Sequence, residues 1–315
     1  MVRIEHTFKA MGGPCSLRLD VDDNAAAGVA IKAAVEEVAR LERKYSRYRD
    51  DSLTSKINRA AGAGIPVPID QETSALLGYA NTVWRESQGL FDLTSGVLRL
   101  AWDFKSGRCP EQVDIDALLP LVGWDLVQWD EGSVYLPKVG MELDFGGCVK
   151  EYAADSAAMQ LRRCGVTSAL IDLAGDMAVI GTPQCDASGL SGWPVGIRHP
   201  VEKGGAVASV RLPEGGLASS GDYERCMYVD EKRYGHILHP LTGWPVQGLI
   251  AVSVLAEQCL VAGSSATIAM LKPVDEALEW LENLGLPWLA IDADLDCHGS
   301  LAASGSSSGQ LGANG

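Results

Sequence analysis

The sequence lacks the features that place a protein in a membrane or give it a disulfide framework. No apolar run approaches the roughly 18 residues of a membrane span, which predicts a soluble protein. The first residues show neither the apolar region nor the small-residue cleavage site of a secretory signal. The eight cysteines include no CxxC pair, which favours reduced thiols. We therefore expect a cytoplasmic protein, with a periplasmic location as the alternative.

Positive charge is scarce. The 26 Lys and Arg residues face 41 Asp and Glu residues, so the formal net charge is −15 at pH 7. Without a basic stripe, the chain is not expected to bind nucleic acid. An anionic ligand would need local attraction from a helix N-terminus, a single cation or a metal ion.

Hydrophobic periodicity predicts an α+β fold. Helices are predicted at 24–45, 73–87, 114–119, from just after Gly147 to Cys164, and at 261–271 and 273–284. Strands are predicted at 15–21, 168–173, 195–198, 206–212, 250–255 and 288–292, with a hairpin over 125–136. Because hairpins outnumber strand–helix–strand units, we expect largely antiparallel sheets flanked by helices. One domain should span residues 1–299, followed by a disordered Gly/Ser-rich tail over 300–315.

The segment 215–246 holds the densest group of chemically active residues. Two polar, turn-rich stretches, 219–222 and 236–243, flank an alternating stretch, 226–234, that reads as a hairpin. A hairpin would bring both polar stretches to one end of a sheet. The stretch 236–243 contains two histidines, His236 and His239. The sequence shows no further zinc ligands at a recognisable spacing, so the role of a general base is favoured over that of a zinc ligand. A hydrogen-bonded structural histidine is the alternative.

A second candidate site lies where Gly146 and Gly147 precede a helix with Lys150 in its first turn. Free backbone N–H groups and the lysine could hold a phosphate there. The alternative is a tight turn with a solvated lysine, since the pattern is neither a Walker A loop nor GxGxxG. Asp155 and Asp176 could bond a ribose or an adenine, or could serve as helix caps and turn residues.

Two further stretches offer surfaces for a flat aromatic ligand. Met11 precedes two glycines, and Tyr45 and Tyr48 lie close together in the chain. A thioether and aromatic faces can stack on such a ligand, whereas core packing of the methionine and one tyrosine is the alternative.

Taken in order, these segments resemble the ApbE family of FAD:protein FMN transferases. The matching segments are Met11-Gly12-Gly13, 45–58 (YSRYRDDSLTSKIN), 89–98 (GLFDLTSGVL) with Trp102, 144–155 (DFGGCVKEYAAD), 171–176 (IDLAGD), 192–200 (GWPVGIRHP), 219–223 (SSGDY), 236–243 (HILHPLTG) and 264–267 (SSAT). The resemblance implies an ApbE-like α+β fold of two intertwined subdomains. It also implies a reaction that uses a divalent metal, usually Mg²⁺, to cleave FAD, attaches FMN to a Thr or Ser of a target flavoprotein and releases AMP.

The resemblance also implies roles for individual residues. His236 is expected to be the base and is grouped with Asp222 as catalytic. FAD is expected to contact Met11, Tyr48, Gly147, Lys150, Asp155, Asp176, Ser220, Gly221 and Thr242. The metal is expected near Thr267. Target proteins of the family carry an Asp-Gly-x-Ser/Thr-Gly-Ala-like segment, which this chain lacks, so the target should be another protein.

Three positions depart from the family pattern. Gly263 stands where a metal-binding aspartate is expected, His239 replaces an aspartate, and Ala174 replaces a glycine. We therefore expect a weakened Mg²⁺ site, which a Gly263→Asp substitution should strengthen. A non-catalytic FAD-binding protein and a metal-dependent FAD pyrophosphatase giving FMN and AMP are the alternative functions.

Overall fold

A computed structural model describes residues 1–184, 191–201, 204–223 and 225–302. Its centre is an eight-stranded sheet in the order β1-β2-β6-β7-β10-β13-β14-β15, with every neighbouring pair antiparallel. These strands are β1 (Val2–Ala10), β2 (Gly13–Val21), β6 (Ala169–Leu173), β7 (Asp176–Ile180), β10 (Gly215–Gly221), β13 (Ala251–Ala256), β14 (Trp288–Ile291) and β15 (Cys297–His298). The α+β class with antiparallel sheets is therefore confirmed.

Smaller sheets surround this one. They are formed by β3 (Val67–Pro68), β4 (Gln128–Trp129) and β5 (Ser133–Tyr135), by β8 (Trp193–Arg198) and β9 (Ala206–Leu212), and by the hairpin β11 (Cys226–Val229) and β12 (Lys232–Gly235). The β11–β12 hairpin is the one that the sequence predicted. The β8–β9 pair helps to form a second core cluster with buried residues of the large sheet, among them Leu217 and Leu289.

Seven α-helices are present in the described part of the chain. They are α1 (Asn24–Tyr45), α2 (Leu53–Arg59), α3 (Gln71–Glu86), α4 (Gln112–Leu118), α5 (Val149–Arg163), α6 (Cys259–Leu271) and α7 (Val274–Asn283). Helix α5 packs on β6 and β7, helix α6 packs on β10 and β13, and α1 packs on α5. None of the helices described is both long and apolar enough to cross a membrane.

Four strands of the large sheet, β1, β7, β10 and β15, were missed from the sequence. β1 is an edge strand in which only Ala10 is buried, so its hydrophobic signal is weak. β10 contains the polar stretch Ser219-Ser220-Gly221 that was read as a turn, yet it pairs with β7 on one side and β13 on the other. Its small side chains suit a strand on which α6 packs closely, because Gly216 leaves room for the backbone of Cys259.

The end of the described chain packs onto the sheet. The backbone N–H of Leu301 donates to the carbonyl of Trp288 at 3.0 Å, and the Leu301 side chain is buried. The predicted tail therefore begins with residues that contact β14, and its remaining residues, 303–315, lie outside the described residues.

Candidate active site

An open cleft lies between α6, the start of α5 and the segment that follows β12. It has about 550 Å³ of empty space, including space open to solvent. Its lining comes from residues 90–93, Ser95, Gly96, Asp144, Gly147, Ile237, Leu238, Thr267 and Leu271. The cleft thus brings together Gly147 from the second candidate site, Thr267 near which the metal is expected, and the residues directly after His236.

Lys150 and Asp176 form a buried ion pair beside this region. The Lys150 Nζ lies 2.6 Å from Oδ2 of Asp176, whose side chain is 2% exposed. The other oxygen of Asp176 accepts from the backbone N–H of Ser219 at 3.2 Å. Burial raises the pKa of Asp176, although the lysine opposes that rise. Asp176 therefore ties the first turn of α5 to strand β10.

A hydroxyl pair continues this connection from β10 to α6. The Oγ of Ser220 lies 2.8 Å from the Oγ1 of Thr267, within hydrogen-bonding distance. Two of the residues predicted to bind cofactor or metal are thus in direct contact at the cleft.

Met11 lies at the end of the large sheet, in the turn between β1 and β2. Its φ is +52°, and its backbone N–H donates to Oε1 of Glu42 on α1 at 2.8 Å. A Cβ at Gly13 would come within 2.7 Å of the Ala174 Cβ, so this turn lies against the one between β6 and β7. Met11 is therefore on the same sheet end as Asp176, but it does not line the cleft.

The two tyrosines have different environments. Tyr45 is buried, with its hydroxyl 3.0 Å from that of Thr73 and its ring packed on Phe145. Tyr48 is 82% exposed, and its ring lies under the guanidinium of Arg47 at 4.9 Å. Of the two tyrosines, Tyr48 has the exposed ring, and its contact with the flavin stays a prediction.

The β11–β12 hairpin positions Asp222 and His236 together. Asp222 Oδ1 accepts from Nη1 of Arg233 at 2.6 Å, and a Cβ at Gly235 would lie 2.5 Å from the Cβ of Asp222. Burial raises the pKa of Asp222, while the arginine opposes the rise. The carboxylate of Asp222 therefore holds the hairpin in place, and half-buried His236 follows directly after Gly235.

His239 forms a tight turn with the residues that follow it. Its carbonyl accepts from the N–H groups of Thr242 and Gly243, and its Nδ1 accepts from the N–H of Leu241 at 3.2 Å. Burial lowers the pKa of His239, which favours the neutral imidazole. Thr242 is exposed and its hydroxyl accepts from the N–H of Trp244, so its contacts here are those of a turn residue.

Asp155 has a capping role. Its two carboxylate oxygens accept from the N–H groups of Cys259 and Leu260 at 2.9 and 3.0 Å, at the first turn of α6. Such bonds satisfy helix donors that have no intrahelical partner. Asp155 therefore fixes α6 against α5, and its predicted contact with FAD stays a prediction.

Gly263 faces a carboxylate that the sequence analysis did not single out. A Cβ built on Gly263 would come 2.5 Å from Cγ and 2.7 Å from Oε1 of Glu151. Glu151 is 7% exposed, and burial together with the nearby Asp176 raises its pKa.

Comparisons with known proteins identify the family. The ApbE family matches residues 11–289. The chain belongs to the ApbE family. The FAD:protein FMN transferase of Klebsiella pneumoniae is 32% identical over 256 residues, which cover 79% of this chain and 76% of that protein. The protein of the same name from Treponema pallidum is 31% identical over 273 residues, covering 77% and 75%.

Solved ApbE structures have the same fold. The ApbE protein of Thermotoga maritima superposes with a TM-score of 0.85 at 27% identity, covering 95% of this chain and 97% of that one. The apo flavinyl transferase ApbE of Pseudomonas stutzeri gives a TM-score of 0.83 at 26% identity, covering 96% of each chain. The fold expected from the resemblance is therefore confirmed.

In this ApbE chain, the predicted site residues fall into three groups. Gly147, Thr267, Ser220 and the start of the His236 segment meet at the cleft. Met11, Lys150 and Asp176 share the neighbouring sheet end, whereas Tyr48 lies on the surface. Asp155, Asp222 and Thr242 have bonds within the protein that explain their positions.

Sequence reasoning missed the groups that these side chains pair with. Arg233 neutralises Asp222, and Arg47 forms an ion pair with Asp144 at the edge of the cleft. Glu151 was also missed, although its spacing gave a signal. It lies three and seven residues before the buried Ala154 and Ala158, on the side of α5 that packs into the protein.

Proposed function

We propose that this chain is an FAD:protein FMN transferase that attaches FMN to a Thr or Ser of a target flavoprotein and releases AMP. The observation that carries the proposal is its likeness to proteins of that name over about three quarters of both chains. The cleft supports it, since it combines a helix start, paired hydroxyls and the segment that begins with His236.

The proposed reaction breaks the phosphoanhydride bond of FAD and forms a phosphoester bond between FMN and the target. The hydroxyl oxygen of the target attacks the phosphorus on the FMN side of the FAD pyrophosphate, and the bond to the AMP oxygen breaks. His236 would accept the proton that the hydroxyl loses. N–H groups at the start of α5 and the ammonium of Lys150 would attract the phosphates, because helix N-termini and cations stabilise anions. The exposed ring of Tyr48 and the Met11 turn would contact the flavin.

We also propose that FAD cleavage uses Mg²⁺ near Thr267. When bound, such an ion supplies charge neutralisation on the pyrophosphate oxygens. Among the described residues, no group of three or more His, Cys, Asp or Glu side chains is arranged to hold a metal. Mg²⁺ does not require such a group, because it commonly binds through one or two carboxylates together with waters and substrate phosphates.

The partner of the reaction is proposed to be a separate protein with an Asp-Gly-x-Ser/Thr-Gly-Ala-like segment. Its hydroxyl would have to enter the open cleft beside His236. We propose that the reaction takes place in the cytoplasm, because the eight cysteines include no CxxC pair and this pattern favours reduced thiols.

Product analysis tests this function. The purified protein is incubated with FAD, Mg²⁺ and a peptide that contains the target segment, and the products are identified by mass spectrometry. We expect a peptide heavier by one FMN and an equal amount of AMP. A peptide whose Thr or Ser is replaced by Ala is the control. Free FMN with AMP and no labelled peptide would indicate a pyrophosphatase, and unchanged bound FAD would indicate a binding protein.

A further inference from the structure

The carboxylate of Glu151 occupies space on α6 that a side chain at position 263 would fill. Gly263 is buried, and a Cβ there would meet three atoms of Glu151, its Cγ at 2.5 Å, Oε1 at 2.7 Å and Cδ at 2.9 Å. Real Cβ atoms essentially never approach other heavy atoms this closely. The long side chain of Glu151 on α5 therefore fills the space that the glycine at position 263 leaves on α6.

One oxygen of this carboxylate lacks a protein partner. Glu151 is 7% exposed, and its Oε2 is buried without a hydrogen bond to any described residue. The adjacent cation, Lys150, pairs with Asp176 at 2.6 Å instead. A buried carboxylate normally has hydrogen bonds, a cation or a metal ion as a partner, because its burial is costly otherwise. Glu151 therefore has a buried carboxylate oxygen that can bind a cation.

The position of Glu151 links it to the cleft. Gly263 and Thr267 are four residues apart on α6, so they lie one above the other on the same face of the helix, with about 5–6 Å between Cβ positions. Thr267 lines the cleft and contacts Ser220. The carboxylate of Glu151 therefore reaches α6 one turn before Thr267, a separation that one hydrated cation can span.

We propose that Glu151 supplies the protein carboxylate for the divalent cation at this site. This inference rests on the proposed metal-dependent function. Position 263 would then need no acidic residue, because α5 contributes the charge that the resemblance leads one to expect from α6. The site would not be short of a carboxylate.

If Glu151 binds the cation, Gly263→Asp should weaken the metal site, although the sequence alone led us to expect a stronger one. The added side chain would collide with Glu151 and would place two carboxylates in one buried space. The single substitution should therefore weaken metal binding. Combined with Glu151→Gly, it should transfer the carboxylate from α5 to α6 and preserve the site.

The test is Mn²⁺ binding, measured by electron paramagnetic resonance of free Mn²⁺ in the presence of saturating FAD, with FAD alone as the blank. Glu151→Gln should lower the Mn²⁺ affinity by about 10–100-fold. Its FAD affinity in EDTA should stay within about twofold of wild type. Glu151→Gly/Gly263→Asp should recover most of the affinity, whereas Gly263→Asp alone should not. Glu276→Gln, an exposed charge removal on α7, is the matched control and should bind Mn²⁺ as wild type does.

A second measurement separates metal binding from folding. Mn²⁺ with FAD should raise the thermal midpoint of wild type above that with FAD alone, and Glu151→Gln should lose this increment while it keeps the metal-free midpoint. Unchanged Mn²⁺ affinity in Glu151→Gln would overturn the proposal and identify Glu151 as a neutral buried group. If wild type transfers no FMN but its Mn²⁺ affinity still depends on Glu151, the proposed function fails and the ligand assignment stands.

Discussion

The ion pair of Lys150 and Asp176 has a structural role, and both residues are also predicted to bind FAD. The lysine pairs with a carboxylate that is 2% exposed. A substitution of Lys150 would therefore change both ligand affinity and stability, since it leaves a buried charge without its partner.

The stability of Lys150→Met should depend on pH. Without the lysine, the folded-state pKa of Asp176 lies still further above its unfolded value, so stability falls as the pH rises above about 4. We expect a loss relative to wild type towards the lower end of roughly 3–5 kcal/mol at pH 8, and a smaller loss at pH 5. Urea unfolding at both pH values measures it. Lys150→Met/Asp176→Asn should recover most of the loss, and an equal deficit at both pH values would contradict the assignment.

The two histidines should respond differently to alanine. His236→Ala is expected to bind FAD as wild type does and to lose about 10²–10⁴-fold in transfer rate, the usual contribution of a positioned general base. His239→Ala should have a milder effect, because His239 Nδ1 accepts a hydrogen bond from the N–H of Leu241 within its own turn. Single-turnover labelling of the target peptide and FAD titration measure the two effects. A larger loss of transfer rate in His239→Ala than in His236→Ala would show that His239 is the base.

Residue identities were easier to predict than residue partners. Lys150 and Asp176 were both singled out, but they are 26 positions apart in the sequence and nothing in it pairs them. The contact between Glu151 and Gly263 joins two helices across more than a hundred residues, so it was invisible until the helices were packed.

At the scale of elements, the packing of α6 on β10 positions Thr267 against Ser220. A Cβ on Gly216 would lie 2.5 Å from the backbone N and Cα of Cys259, at the first turn of α6. Gly216→Ala should therefore push the helix away from the strand, at a cost of about 1–3 kcal/mol or more.

Gly28→Ala is a control that should increase stability, whereas Gly216→Ala should decrease it. Gly28 is exposed in the interior of α1, and a Cβ there would meet nothing within 4 Å. Gly28→Ala should gain about 0.5–1 kcal/mol, since alanine loses less backbone entropy in a helix. Chemical denaturation of both variants compares them, and equal effects would show that the α6–β10 contact does not limit stability.

Elements with a strong periodic pattern were predicted well, and elements decided by their neighbours were not. Helix α1 begins and ends at the predicted residues, because its buried alanines and leucine recur at helical spacing. The polar residues of β10 favour a turn when read locally, yet residues 219–221 pair with β13 and continue a strand whose first residues also pair with β7.

At the scale of the whole molecule, the order of the segments was enough to predict the family and the fold. The three-dimensional arrangement then places the segment that follows His236, the turn before α5 and the end of α6 around one cleft. The sequence could not reveal how the buried charges of this region compensate one another, because compensation depends on distances between elements.

The charge of the molecule predicts how FAD approaches it. The formal net charge is −15, and the cations near the cleft, Arg47 and Lys150, are already paired with Asp144 and Asp176. FAD carries negative phosphates, so the long-range field should oppose its approach at low salt. Because the Debye length shrinks from about 30 Å at 0.01 M to about 10 Å at 0.1 M, added salt should weaken this repulsion.

We therefore expect the association rate constant of FAD to rise several-fold when KCl is raised from about 10 to about 200 mM. Stopped-flow flavin fluorescence in EDTA measures it without a metal contribution. Riboflavin, which has the same ring and no phosphate, is the control and should associate at a rate that salt leaves nearly unchanged. If the FAD rate falls with salt while the riboflavin rate is constant, the cations of the cleft govern the approach in spite of the net charge.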